Sequence, residues 1–403
     1  MTADFSLPRR QLLSRGAAAL SGSWLASCAG AQPTSNGSSA PVRLRLFAPS
    51  GYLSDPARIE TGIQRLRTAG FMLDNTQALY RRHQRFAGTD AERIADLQDV
   101  ATGGAPVPKV LLGARGGYGA MRLLPHIDWP SLGSRMREAG TLLLGYSDIC
   151  AVQLALLAQG RTGSFAGPLL YSEFGSPNPS PYTMQQFVRT VTGSELQIDV
   201  TSPVERQIRL QGTWWGGNLS VLASMAGSPW LPNVPGGILF LEDVGEQPYR
   251  IERMLQTLYL AGVFRQQQAI VFGTFRLSDE RDLYDESYDF DSVIATLRQL
   301  TGLPVFTGFP FGHIHDKVTM PLERLTGLPV LTGFPSGHIR DKVTMPLGYP
   351  STLQSSNQGY VVQYSGYPVL ETGGMNLASL VATSTEGDTT LPSGKGLHEN
   401  AGD

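Results

Sequence analysis

The chain has 403 residues, with 32 Lys+Arg against 34 Asp+Glu and a formal net charge of −2. It therefore lacks the basic footprint of a nucleic-acid binder. Its 41% hydrophobic content excludes global disorder, its two cysteines exclude a disulfide framework, and its length suggests about two domains.

Residues 1–27 read as an export signal, because Arg9-Arg10 precede a weakly apolar stretch over 16–26 that fits the twin-arginine route. Leu25-Ala26-Ser27-Cys28 has the pattern of a lipobox, in which Cys28 is acylated and becomes the mature N-terminus. The alternative is an ordinary signal cleaved near Ala31, with Cys28 lost. Either way the expectation is an exported, periplasmic protein, followed over 28–41 by a tether rich in Ser, Gly and Asn. No run of about 18 apolar residues offers a spanning helix.

The folded part begins with a short alternating strand over 42–48, ended by Pro49-Ser50-Gly51. The spacing of Ile59, Ile63 and Leu66 predicts a helix over 56–69 that stops at Gly70. Buried strands follow at 110–112 and 142–144, and an apolar helix at 149–157. Alternating strands and helices imply a parallel sheet, whose ligands bind at the carboxyl ends of the strands. Residues 42–170 thus read as an N-terminal α/β domain and 171–204 as a linker. Residues 205–372 read as a β-rich C-terminal domain with one strong helix at 248–260, and 373–403 as a disordered tail.

An internal repeat lies in the second domain. Residues 297–321 read LRQLTGLPVFTGFPFGHIHDKVTMP and 322–346 read LERLTGLPVLTGFPSGHIRDKVTMP, identical at 20 of 25 positions. A single copied unit is a local tandem duplication rather than a solenoid. Only one copy can occupy a given place in a packed core, so the other is expected to bulge out.

Several segments could carry chemistry. Leu144-Gly145-Tyr146-Ser147-Asp148 sets a serine at a strand-to-helix turn, where a hydroxyl is lifted above the sheet and N–H groups face developing negative charge. On that segment alone, simple helix capping by Ser147 or Asp148 is the stronger reading. Gly116-Gly117-Tyr118-Gly119 supplies unobstructed N–H groups or merely a tight turn, and Arg115 beside it is a carboxylate clamp or a surface arginine. The apolar strand 237–241 ends in Glu242 and Asp243, placed to orient a histidine, while Asp243 or Glu246 could instead cap the helix at Pro248. His313 sits on a Pro/Gly loop; His313 and His315 could also serve as metal ligands, although the second copy replaces one of them by Arg340 beside His338.

Seven pieces in order carry a resemblance: Ala48-Pro49-Ser50-Gly51; Arg85-Phe86-Ala87-Gly88-Thr89-Asp90; Ala114 to Gly119; Gly145-Tyr146-Ser147-Asp148; Gly216-Gly217-Asn218-Leu219; Leu239-Phe240-Leu241-Glu242-Asp243 with Glu246; and Pro310-Phe311-Gly312-His313. Together they resemble the LD-carboxypeptidase family of serine peptidases. The resemblance implies Ser147 as nucleophile, His313 as general base and Glu242 as the group orienting it, with an oxyanion hole from the backbone N–H groups of Gly117 and Asp148. It also implies a site between an α/β domain carrying the serine and a β-rich domain carrying Glu and His.

The implied reaction releases terminal D-alanine from murein tetrapeptides and needs neither metal nor organic cofactor. The implied partners are the murein peptide and, through Cys28, the membrane; a homodimer is allowed for. Related readings are a peptidase acting on other small acyl amides such as microcin C-like peptidyl-nucleotides, and a lipoprotein that binds muropeptides without cleaving them.

The chain departs from the family pattern at Ala166-Gly167-Pro168, where His-Gly-Pro is usual, and at Cys150, where a small residue such as Thr is usual. The duplication matters more. Glu242 precedes His313 by 71 residues and His338 by 96. The shorter spacing and the intact Pro310-Phe311-Gly312-His313 favour His313. His338 is the alternative, because it runs through Pro346-Leu347-Gly348 into the closing strands. The duplication is also a route to lost activity.

Overall fold

The structure is a computed structural model, and it describes residues 41–204, 206–277, 284–311 and 341–381. In chain order the elements are β1 (Val42–Phe47), α1 (Pro56–Thr68), β2 (Phe71–Asp74), α2 (Asp90–Thr102), β3 (Val110–Gly113), α3 (Trp129–Ala139), β4 (Leu142–Gly145), α4 (Cys150–Gly160) and β5 (Ser164–Ala166). There follow α5 (Pro181–Thr192), β6 (Glu195–Thr201), β7 (Arg209–Asn218), α6 (Leu219–Ser224), β8 (Ile238–Glu246), α7 (Pro248–Leu260), β9 (Ala269–Leu277) and α8 (Phe290–Thr301). The last are β10 (Val305–Phe306), β11 (Met345–Leu347), β12 (Tyr349–Ser356), β13 (Gly359–Ser365) and α9 (Ala378–Val381).

The strands form two sheets, ordered β11-β5-β4-β3-β1-β2 and β10-β9-β8-β7-β12-β13-β6. In the first, β2, β1, β3, β4 and β5 run parallel and β11 closes the edge antiparallel to β5. In the second, β7 to β10 run parallel, while β12, β13 and β6 add antiparallel. The chain is a mixed α/β protein with a parallel N-terminal sheet and a more β-rich C-terminal sheet, as the segment pattern predicts.

Local chemistry explains the helices. Asp55 caps α1 by accepting from the Ala57 N–H at 2.9 Å, Pro56 opens it, and Ile59, Ile63 and Leu66 face the core. Thr89 and Glu92 form a reciprocal capping box at α2. The inner strands β3 and β4 are buried throughout, which is why they read as continuous apolar runs.

Three boundary expectations change. The supposed linker 171–204 holds α5 and β6, and β6 is an edge strand of the second sheet, with Leu196, Ile198 and Val200 buried on one face. β11, from the C-terminal part of the sequence, joins the first sheet, so the chain crosses back between sheets. The supposed tail is structured at its start: Leu377 and Leu380 are buried and the Asn376 N–H bonds to the Ala69 carbonyl at 3.0 Å. Their apolar side chains suffice to dock a short segment at the end of α1.

The packed residues draw on both copies of the repeat. Residues 297–311 of the first copy complete α8, form β10 and bury Phe309 and Phe311. Residues 341–346 of the second copy bury Lys342, Val343, Thr344 and Met345. The two pieces meet where the Val343 N–H bonds to the Pro310 carbonyl at 3.2 Å. Among the described residues, no position of the 25-residue unit occurs twice.

Candidate active site

The order of the first sheet changes direction between β1 and β3, the place at which open α/β sheets bind ligands. The loops after β1 and β3 are sewn together, the Gly51 N–H bonding to the Gly116 carbonyl at 3.2 Å. Ser147 stands at the carboxyl end of the neighbouring strand β4, in a one-turn 3-10 segment (Ser147–Ile149) that leads into α4. Its φ is +62°, a left-handed conformation that a non-glycine residue adopts only when its surroundings impose it. Tyr146 before it is fully extended, so the chain turns sharply at the serine.

Gly116 makes room for that turn. A Cβ on it would stand 2.7 Å from both Cβ and Oγ of Ser147 and 3.8 Å from the Asp148 nitrogen. Gly117, exposed and at φ +111°, follows directly. The structure thus sets Gly116 against Ser147 and Asp148, with Gly117 the next residue along and packed on Gly51. The turn is pinned from below by buried Gln153, which donates to the carbonyls of Gly145 (3.1 Å) and Phe165 (2.8 Å).

Asp148 does not cap α4 with its side chain. Its buried carboxyl accepts from Ser50 Oγ at 2.7 Å and the Ala120 N–H at 2.9 Å, tying together the loops after β1, β3 and β4. Burial raises its pKa above the ordinary range, against the lowering effect of those two bonds. Arg115 is half-buried and donates to the Tyr52 carbonyl at 2.6 Å, so it braces the loop after β1.

Glu242 and Asp243 lie inside β8 rather than at its end, because the strand continues to Glu246. The pairing with β9 slips between Leu241 and Asp243, and both acids are buried. Asn218, at the end of β7, bridges them, its amide 3.3 Å from Glu242 Oε1 and 3.1 Å from Asp243 Oδ1. Asp243 also accepts from the N–H groups of Ser220 (2.8 Å) and Val244 (2.9 Å). It thus supports the first turn of α6, whose N-cap is Asn218, and not α7, whose N-cap Gln247 makes no side-chain capping bond. Burial, followed by the charge of Glu242, pushes Asp243 up to about 6.

The two sheets meet at the helix behind the serine. Gly217, at φ +142°, has no side chain because a Cβ would stand 2.6 Å from Cys150 Sγ. The Cys150 thiol points at the Gly216 carbonyl, 3.8 Å away. Burial raises the thiol pKa, against the lowering effect of a backbone hydrogen bond from Asn218, and the charges of Glu242, Asp148 and Asp243 add to the rise.

Sequence reasoning missed a buried group beside Ser147. Lys342 Nζ lies 2.6 Å from Glu173 Oε1 and 2.8 Å from the Tyr146 hydroxyl, which itself donates to Glu173 Oε1 at 2.8 Å. Nothing in local spacing links residues 146, 173 and 342; the copied Asp-Lys-Val-Thr-Met-Pro was the available signal. His313, His315, His338 and Cys28 lie outside the described residues. Among the described residues, no cluster of three or more His, Cys, Asp or Glu side chains could hold a metal.

Comparison with known proteins adds to this geometry. Residues 44–167 match the LD-carboxypeptidase N-terminal domain and residues 211–328 the LD-carboxypeptidase C-terminal domain. The chain is 30% identical over 266 residues to a probable murein peptide carboxypeptidase of Bacillus subtilis, covering 64% of this chain and 80% of that one. It is 28% identical over 293 residues to the murein tetrapeptide carboxypeptidase of Pseudomonas aeruginosa, covering 70% and 92% respectively. Among solved structures, the muramoyltetrapeptide carboxypeptidase of Oxalobacter formigenes superposes with a TM-score of 0.68 at 34% identity, over 81% of this chain and all of that one.

Proposed function

Because the chain belongs to the LD-carboxypeptidase family, we propose that it is a serine carboxypeptidase acting on murein peptides, releasing the terminal D-alanine of a tetrapeptide. The observation that carries this reading is Ser147 itself: a serine at φ +62°, at the carboxyl end of a buried parallel strand, pressed against glycine. Such a turn serves a nucleophile better than a cap, since a cap residue has extended φ/ψ and costs no strain.

In the proposed mechanism Ser147 Oγ attacks the carbonyl carbon joining an L-centre, such as that of meso-diaminopimelate, to D-alanine. The serine proton passes to the imidazole of His313, or of His338 if the second copy serves. Glu242 steadies the imidazolium, and the backbone N–H groups of Gly117 and Asp148 receive the oxyanion. Collapse of the tetrahedral intermediate breaks the C–N bond, and the imidazolium gives its proton to the departing amine. Water then attacks the acyl-serine by the same route and frees the enzyme. Oxyanion donors of this kind contribute about 3–4 kcal/mol each to the barrier reduction. An exported chain, anchored through Cys28 or released, would meet this substrate in the periplasm.

The test is to incubate L-Ala-γ-D-Glu-mDap-D-Ala with the purified protein and follow D-alanine. Release of D-alanine with the matching tripeptide supports the proposal. Binding of the tetrapeptide without cleavage contradicts it and leaves a muropeptide receptor.

A further inference from the structure

A buried ionisable set without a part in the proposed reaction adjoins the nucleophile turn: Tyr146, Glu173 and Lys342. Glu173 reaches the set from a single π-helical turn (Leu170–Phe174), and its second oxygen accepts from the Leu169 N–H and Ser172 Oγ, each at 2.8 Å. The carboxylate is therefore fixed on both sides. Lys342 arrives from the other end of the chain, its own N–H bonded to Thr183 Oγ1 at 2.8 Å, just before β11 enters the first sheet. The Tyr146 ring lies between two parts of the repeat: Phe311 stands edge-on at 5.8 Å and Lys342 Nζ is 4.4 Å from the ring centroid.

We propose, resting on the reading of Ser147 as nucleophile, that Lys342 is a positioning residue that acts through Tyr146 to hold Ser147 in its reactive left-handed turn. The physical need is plain. A non-glycine residue at positive φ is strained and persists only where its neighbours fix it. Gln153 holds the turn from below, and Tyr146 holds it from the side, since its peptide leads directly into Ser147 and its hydroxyl is gripped by both members of a buried ion pair.

The pair is suited to a permanent brace rather than a titrating one. Burial opposes both charges, but the charge of Glu173 and the bonds that Lys342 donates to Glu173 and Tyr146 carry the lysine above its ordinary value. The same attraction holds Glu173 below its own. A buried ion pair is often no more stabilising than an apolar substitute, so its value here lies in geometry. Removing the lysine would leave the buried Glu173 carboxylate without its counter-charge, facing the neutral donors Tyr146 Oη, Leu169 N–H and Ser172 Oγ, and the tyrosine hydroxyl would lose one of its two charged partners.

The experiment measures the rate at which a fluorophosphonate labels Ser147 at 25 °C in wild type, Lys342→Met, Tyr146→Phe and Ser147→Ala, with folding checked by circular dichroism. Tyr146→Phe keeps the ring and removes one oxygen, so it folds even if Lys342→Met does not. The expected result is labelling at least tenfold slower in Tyr146→Phe and in folded Lys342→Met. With tetrapeptide, the expected loss is in kcat, with KM changed less than threefold. Labelling of folded Tyr146→Phe or Lys342→Met within twofold of wild type overturns the proposal, because a merely structural brace would change the melting point and leave this rate alone. Wild type labelled no faster than Ser147→Ala overturns the serine reading itself, and the two failures are thereby told apart.

Discussion

Gly116 lies so close to Ser147 that a methyl group on the glycine would stand 2.7 Å from the serine oxygen. The loop after β3 and the turn after β4 are therefore fitted to one another, and the proposed reaction depends on that fit. Gly116→Ala should lower kcat/KM at least a hundredfold while the protein stays folded. Overpacking of this kind costs about 1–3 kcal/mol of stability. Parallel kinetics and urea unfolding check it; an Ala variant with wild-type kcat/KM would show that the close contact is irrelevant to catalysis.

A second prediction concerns pH. Asp243 titrates at about 6 in the fold, above its unfolded value of about 3.9. Between those values the folded protein holds more protons than the unfolded one, so stability falls as pH rises. The contribution of this group is complete below about pH 4 and is lost above about pH 6. Urea midpoints of wild type and Asp243→Asn should therefore show a difference, wild type minus variant, that declines from pH 4 to 7 and is level above. A difference that grows with pH would contradict the assignment.

The seam between the sheets gives a third. Cys150 is buried, with its thiol pKa raised, so iodoacetamide at pH 8 should modify it only after unfolding. Peptide mass spectrometry of native and urea-treated protein reads this directly. Gly217→Ala puts a methyl group onto the Cys150 sulfur at a backbone φ suited to glycine, and should lower the melting temperature by several degrees.

The repeat supplies the fourth. His313→Ala should abolish D-alanine release and His338→Ala should leave it within a few-fold of wild type. The reverse pattern would assign the base to the second copy. Release undiminished in the double variant would remove histidine from the mechanism.

Much of this arrangement is legible in the sequence, and the reasons are local. β3 and β4 announce themselves as short apolar runs, and the glycines at 116–119 and the Gly-Tyr-Ser-Asp turn lie within a few residues of the strands that position them. β6 carries a strand signal as well, since Leu196, Ile198 and Val200 alternate with exposed residues, but the segment falls where composition reads as a linker. The bridge from Asn218 to Glu242 and Asp243 joins two motifs that spacing alone leaves separate. The Lys342–Glu173 pair joins side chains 169 positions apart, and β11 is three residues long. Neither leaves a periodic trace, because such contacts are set by how the sheets pack rather than by any one segment.

The most direct test of the central claim is the rate of D-alanine release from L-Ala-γ-D-Glu-mDap-D-Ala by equal amounts of wild type and Ser147→Ala. The account predicts release by wild type and a loss of at least a thousandfold in the variant. Release by Ser147→Ala at the wild-type rate would contradict it.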